Sequence, residues 1–315
     1  ESEFLDRGWL DWSLVSGKPG DGKIRYALSA REDGRSAGWI RGPASLPSGA
    51  PLRDAVGVRE LAGLVGDAPD ALVVAPFAYV APFLSDTNAP PALRITGRFL
   101  TNSAAASNSF FACLGEGGYS GRILGMKVPT VMAGTKIRNA DTVLDTVGES
   151  VDQLNRECRW GLIVSRAEIQ RHPAVVLGLN QNELFATLAP SSRPAIAVVT
   201  NWLVLGSNVE TLERLLGRGP DAGGGRWSKG LERAGDAVAY AWIDLEASKQ
   251  ALTHVIAVYT LSLMMDNREK NARKRRQLDH AQAWIEALQL LKTCRLWLKA
   301  DPSGFDLEFE LGAPP

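Results

Sequence analysis

Apolar positions along this chain fall into short runs whose spacing switches between every second residue and every third or fourth, and these switches delimit its elements. In KIRYALSAR (23–31), Ile24, Tyr26 and Leu28 alternate with Arg25, Ala27 and Ser29, the period of a half-buried strand. With WLDWSLVS before it, GKPGDG between them and AGWIRG after it, residues 9–41 predict a hairpin region with a third strand. Proline and glycine in GPASLPSGAP (42–51) then break regular structure. Val56, Val58, Leu61, Leu64 and Val65 predict a helix over Leu52 to Val65, followed by a strand at ALVVAP (71–76) and another at ALRITGRFL (92–100). TNSAAASNS is small and polar and GEGGYSGRILG (115–125) is glycine-rich, so both read as loops.

From Val128 the pattern repeats a phrase: an apolar strand, a polar break and an amphipathic helix. VPTVMAGTKI leads into a helix with Val143, Leu144, Val147, Val151 and Leu154 on one face. Asp141 near its start suits the helix dipole. CRWGLIVS, AVVLGL, ELFATLA, AIAVVT and WLVLGS follow at turn-like spacing and predict an antiparallel meander. Ser207 to Glu210 has the form of a capping box, opening a helix with Val209, Leu212, Leu215 and Leu216. Beyond the glycine-rich GRGPDAGGGRWSKG (217–230) come a strand at 237–243, a buried helix including 251–265, a basic stretch, and a helix carrying Leu278, Ala281, Ile285, Leu288 and Leu291. The chain closes on two strands around Asp301-Pro-Ser-Gly304, a type I turn sequence.

Together these elements predict an α+β fold: mostly antiparallel sheets with helices on one face, built from repeated strand-helix-meander units. Two regions are expected, a β-rich lobe with a short helix at 1–126 and the strand-helix-meander units at 127–315, with 217–230 as a linker within the second. Trp202 and Trp242 fall at corresponding strand ends of the two clearest units, where core or inter-unit packing is expected of them.

Composition narrows the classes of function. Of 315 residues, 45% are apolar and 22% charged, as in ordinary globular proteins rather than disordered ones. Lysine plus arginine (35) balances aspartate plus glutamate (35), so no overall field favours nucleic acid or an anionic membrane. Three separated cysteines, Cys113, Cys158 and Cys294, form neither a disulfide framework nor a zinc cluster. Glu1 opens the chain without a basic-then-apolar leader, as expected where a leader or anchor has been removed or never existed.

Candidate chemistry is sparse. GKPGDGKI (17–24) matches the glycines and lysine of a phosphate-binding loop, but Ile24 replaces the magnesium-binding hydroxyl and a strand follows where a helix is required. It reads as a hairpin turn. GEGGYSG has Arg122 where a nucleophile elbow needs glycine. His172, His254 and His280 lack metal-ligand spacing. Cys158 lies between Arg156 and Arg159 but has no base supplied by a motif, and reads as a small buried residue. Asp306, Glu308 and Glu310 share one face of a strand, which suits either a hard cation or, more ordinarily, a solvated sheet surface. No catalytic residue, metal ligand or cofactor site is assigned. The sharpest charge feature is REKNARKRR, in which Arg268, Lys270, Arg273, Lys274, Arg275 and Arg276 form the candidate partner-binding set.

Over residues 195–311, the order WLVLGSNVETLERLL, GDAVAYAWIDLEA, a helix pair and LWLKADPSGFDLEFEL resembles a group of uncharacterised bacterial proteins classed as a domain of unknown function. The resemblance implies an extracytoplasmic setting in the periplasm or envelope, with membrane proximity through an N-terminal anchor. A cytoplasmic setting stays open. The expectation that follows is a non-catalytic extracytoplasmic binding or scaffold protein with a protein partner, as a subunit of a larger envelope assembly. One alternative is a hydrolase-like enzyme whose site is assembled from dispersed residues, with 101–127 as its rim. The other is a protein that docks an acidic or nucleic-acid partner through 268–276.

Overall fold

The computed structural model describes residues 3–11, 23–30, 36–42, 52, 58–66, 69–79, 81, 91–103, 109–123, 126–159, 161–179, 193–217, 225–249, 253, 292–301 and 304–312. The hairpin turn at 17–22, the strand ELFATLA, the helices expected around 251–265 and 278–291, and the basic run between them lie outside these residues.

Antiparallel pairing organises everything else. The strands are β1 (Glu3–Asp11), β2 (Lys23–Ala30), β3 (Ser36–Gly42), β4 (Ala71–Pro76), β5 (Ser109–Ile123), β6 (Met126–Lys136) and β7 (Leu162–Ile169). They continue as β8 (His172–Leu179), β9 (Ala195–Val199), β10 (Trp202–Gly206), β11 (Ala239–Asp244), β12 (Thr293–Asp301) and β13 (Gly304–Gly312). All thirteen form one sheet in the order β1-β2-β3-β13-β12-β11-β4-β5-β6-β10-β9-β8-β7. The hairpin region at 9–41 is realised as β1, β2 and β3, with Tyr26 opposite both Gly8 and Ile40. The predicted meander is realised as β7, β8, β9 and β10 side by side.

Helices α1 (Val58–Val65), α2 (Pro91–Ser103), α3 (Ala140–Cys158), α4 (Val209–Leu216) and α5 (Ser228–Glu232) cover the sheet. They lie on both of its faces, in contrast to the single face expected. The alternation of β9 and β10 shows why. Ala195, Ala197, Trp202 and Val204 join a core with Leu61, Leu64 and Val65 of α1, Leu212 and Leu215 of α4 and Leu231 of α5. Their neighbours Ile196, Val198 and Leu203 join a second core with Val143, Val147 and Val151 of α3, against which Phe99 and Leu100 of α2 pack. Successive residues of a strand point to opposite faces, so apolar runs such as AIAVV carry no polar face to leave exposed.

Two segments differ from the sequence reading in type. Residues 92–100 are helical in α2, not a strand. Nine residues with Leu93 and Ile95 set between Arg94 and Thr96 resemble an alternating strand, but Ile95, Phe99 and Leu100 sit at helical intervals and Pro91 opens the helix, where its missing N–H costs nothing. Residues 115–123, read as part of a glycine-rich loop, belong to the long strand β5. Its glycines accommodate a break in pairing between Leu114 and Tyr119, and Gly115 takes a φ of 81° beside the Asp70 side chain, a conformation that disfavours any residue with a Cβ.

The capping box at Ser207 is displaced by one residue. Asn208 caps α4, its Oδ1 accepting from Thr211 N–H at 2.7 Å. Ser207 Oγ instead accepts from Val131 N–H at 3.1 Å, while Ser207 N–H donates to Val131 O. The serine therefore extends the β6–β10 pairing. Trp202 and Trp242 share a face and a core, but Trp202 is the first residue of β10 and Trp242 the fourth of β11.

Indole N–H groups pin the first helical layer. Trp202 Nε1 donates to Glu60 Oε1 at 2.6 Å, and Lys136 Nζ lies 3.2 Å from Glu60 Oε2 and 5.4 Å from the centre of the Trp202 ring. Trp227, within the segment read as a linker, is fully buried and donates to Gly66 O at 2.9 Å. Its own carbonyl accepts from Tyr240 Oη at 3.0 Å. These bonds spare the buried groups the cost of about 1–3 kcal/mol for an unmade hydrogen bond, whereas Trp242 Nε1 in the same core is buried without a partner.

Candidate functional site

A candidate site of apolar character lies on the second face, between the sheet and the α2/α3 pair. Residues on the sheet side come from six strands: Phe110 of β5, Ala133 and Thr135 of β6, Leu162 of β7, Leu177 of β8, Ile196 of β9, and Leu203 and Leu205 of β10. The roof comes from Ile95, Phe99 and Leu100 of α2 and Val147, Val151 and Leu154 of α3. They enclose a cavity of about 310 Å³, within the range of about 300–1,000 Å³ typical of small-molecule sites.

Among the described residues its walls carry no titratable side chain. Of the three hydroxyl side chains among its walls, Thr96, Thr135 and Ser150, the last two are occupied by backbone. Thr135 Oγ1 donates to Ser109 O at 3.2 Å, and Ser150 Oγ donates to Thr146 O at 3.1 Å. A cavity of this character stays dry or takes an apolar guest. Leu205, 42% exposed, marks one rim. From there an apolar row crosses the sheet by direct pairing, Leu205 to Ala133 to Ala112 to Val73.

On the other side of the α2/α3 seam, a cleft of about 470 Å³ shares Ile95, Phe99 and Ser150 with the cavity and is otherwise polar. Arg98, Arg138, Glu149 and Gln153 line it. The seam is held in place from below by α3, whose Asn155 grips the start of β7: Leu162 N–H donates to its Oδ1 at 2.7 Å and its Nδ2 donates to Leu162 O at 2.8 Å.

A third concavity, of about 380 Å³, lies on the first face over β2, β3, β12 and β13, lined by Trp39, Arg41, Arg233, Trp297, Glu308 and Glu310. Here the carboxylate row read from the sequence comes together as expected on one face. Each member meets a cation: Arg41 Nε lies 2.8 Å from Asp306, Lys299 Nζ 2.7 Å from Glu308 and Arg295 Nη1 3.1 Å from Glu310. These are cross-strand pairs of a sheet surface, with the charge that a bound cation would need already neutralised by the protein.

Among the other residues singled out, Arg268, Lys270, Arg273, Lys274, Arg275 and Arg276 lie outside the described residues, as do His280 and His254. His172 begins β8. Cys113 is buried and Cys158 and Cys294 partly so, all three as free thiols. Among the described residues no cluster of histidine, cysteine, aspartate or glutamate is placed to hold a metal ion, and no helix is long and apolar enough to cross a membrane. Burial raises the pKa values of Tyr79, Tyr240 and Cys294, and none of the three lines the apolar cavity or the α2/α3 cleft.

Sequence reasoning missed the apolar chamber because its roof depends on α2, misread as a strand. The helical spacing of Ile95, Phe99 and Leu100 behind Pro91 was the available signal. No protein-family model, curated protein or solved structure matches this chain.

Proposed function

We propose that this chain is a non-catalytic binding protein that accommodates an apolar guest between α2/α3 and the sheet, and that it works in an extracytoplasmic setting. The observation that carries the binding role is a chamber of about 310 Å³ walled mainly by aliphatic and aromatic side chains, with the Thr135 and Ser150 hydroxyls turned to backbone carbonyls. The described walls are hydrocarbon apart from the Thr96, Thr135 and Ser150 hydroxyls, a lining that suits an apolar guest. The resemblance over 195–311 supports the extracytoplasmic setting, which fractionation of native cells checks directly.

The test of binding is titration with Nile red, a neutral dye whose emission shifts in apolar surroundings. Saturable one-to-one binding is expected, and it is abolished by Ala133→Phe, which drives a ring from the floor into the chamber. Equal dye binding by the Ala133→Phe variant, or none by the wild-type protein, overturns the proposal.

A further inference from the structure

The α2/α3 seam separates two spaces of opposite character that share three wall residues. Below it lies the apolar chamber. Above it lies the cleft with Arg98 and Arg138, both exposed and neither in an ion pair within the described residues. Arg94, one turn before Arg98 on α2, leaves its Nε buried without a hydrogen-bond partner. Among the described lining residues the two arginines face one acid, Glu149. A guest confined to the chamber leaves these guanidinium groups unused; Ile95, Phe99 and Ser150 line both spaces and are the side chains a longer guest would have to pass to meet them.

We propose that the guest is a single-chain anionic amphiphile, with its hydrocarbon chain in the chamber and its acidic head held by Arg98 and Arg138. This inference rests on the binding role proposed above and adds the class of ligand. Charge-assisted hydrogen bonds from arginine are the strong way to hold a carboxylate or phosphate oxygen at a partly solvated rim. The chain contributes apolar burial and the head contributes selectivity.

Dodecanoate, dodecyl phosphate and dodecanol share one chain and differ in the head, so competition of each against Nile red separates the two contributions. Both anions are expected to bind about tenfold more tightly than the alcohol, the scale of one charge-assisted hydrogen bond at an exposed rim. The double variant Arg98→Gln/Arg138→Gln, altered only at exposed positions, should lose that preference and keep its affinity for dodecanol. Glu149→Gln should widen the preference by removing the opposing charge. A phosphate preference above the carboxylate identifies a phosphorylated amphiphile, and the reverse identifies a fatty acid. If all three ligands bind equally, the head-group assignment fails while the chamber stands. If none displaces the dye or binds by calorimetry while the dye itself still binds, the amphiphile assignment fails and the chamber stands; if the dye does not bind either, both fail.

Discussion

Tyr240 shows how a side chain in the core couples this protein to pH. Burial raises its phenol pKa well above the ordinary 10.0, with nearby Arg295 acting in the opposite direction. The folded state thus holds the proton more tightly than the unfolded chain does. The stabilisation is complete below about pH 10 and is lost as pH climbs from there through the raised folded value. Cys294, raised by burial from 9.0, contributes with the same sign from a lower starting pH. Urea denaturation at about pH 9 and about pH 11 should show a steeper loss of stability for the wild-type protein than for Tyr240→Phe. At the lower pH that variant should be the weaker by about 1 kcal/mol, having lost the bond to Trp227 O. Parallel pH profiles would show that Tyr240 does not titrate with unfolding.

The β7–β8 hairpin carries a local conflict between sequence and backbone. Ile169 pairs with His172, so Gln170 and Arg171 form a two-residue turn, and both have positive φ, 51° and 66°. Such turns favour Asn-Gly because side chains with a full Cβ environment resist the left-handed region by about 1–2 kcal/mol per residue. Replacing Gln170→Asn with Arg171→Gly should raise stability by about 1 kcal/mol in chemical denaturation, the added freedom of glycine in the unfolded chain taking back part of the gain. An unchanged or lower midpoint would argue against the turn geometry. Misreadings elsewhere have the same local origin. The nine residues of ALRITGRFL support two periods at once, and Ser207 and Asn208 both have caps to offer, so the choice between them falls to partners distant in sequence. Val131 claims the serine, and Thr211 is left to the asparagine.

Across the molecule, the sheet is two-sided at its β6 to β8 end, and the chamber is the imperfectly filled part of its second core. Filling it should stabilise the empty protein. Ala133→Phe is expected to raise the unliganded thermal midpoint, equivalent to about 0.5–2 kcal/mol, and to remove the further rise that a saturating guest gives the wild-type protein. Scanning calorimetry with and without dodecanoate reads both. A lower unliganded midpoint for the variant would mean that the space has no room for the ring.

Strand and helix periods were legible wherever a run was long or bounded by turn residues: β2, the meander from β7 to β10, α3 and the final hairpin all follow from neighbours two, three or four residues apart. The antiparallel α+β character follows as well, since closely spaced strands can pair only by turning back. The side of the sheet taken by each helix was not legible, because Ile196 and Ala197 are equally apolar as letters and differ only in which layer packs against them. The chamber is further still from the sequence. It is a volume left between α2, α3 and six strands, and its walls span Ile95 to Leu205. An unfilled volume depends on how all of its walls meet, so it leaves no spacing, charge or motif in any single segment, and only the tertiary structure could decide it.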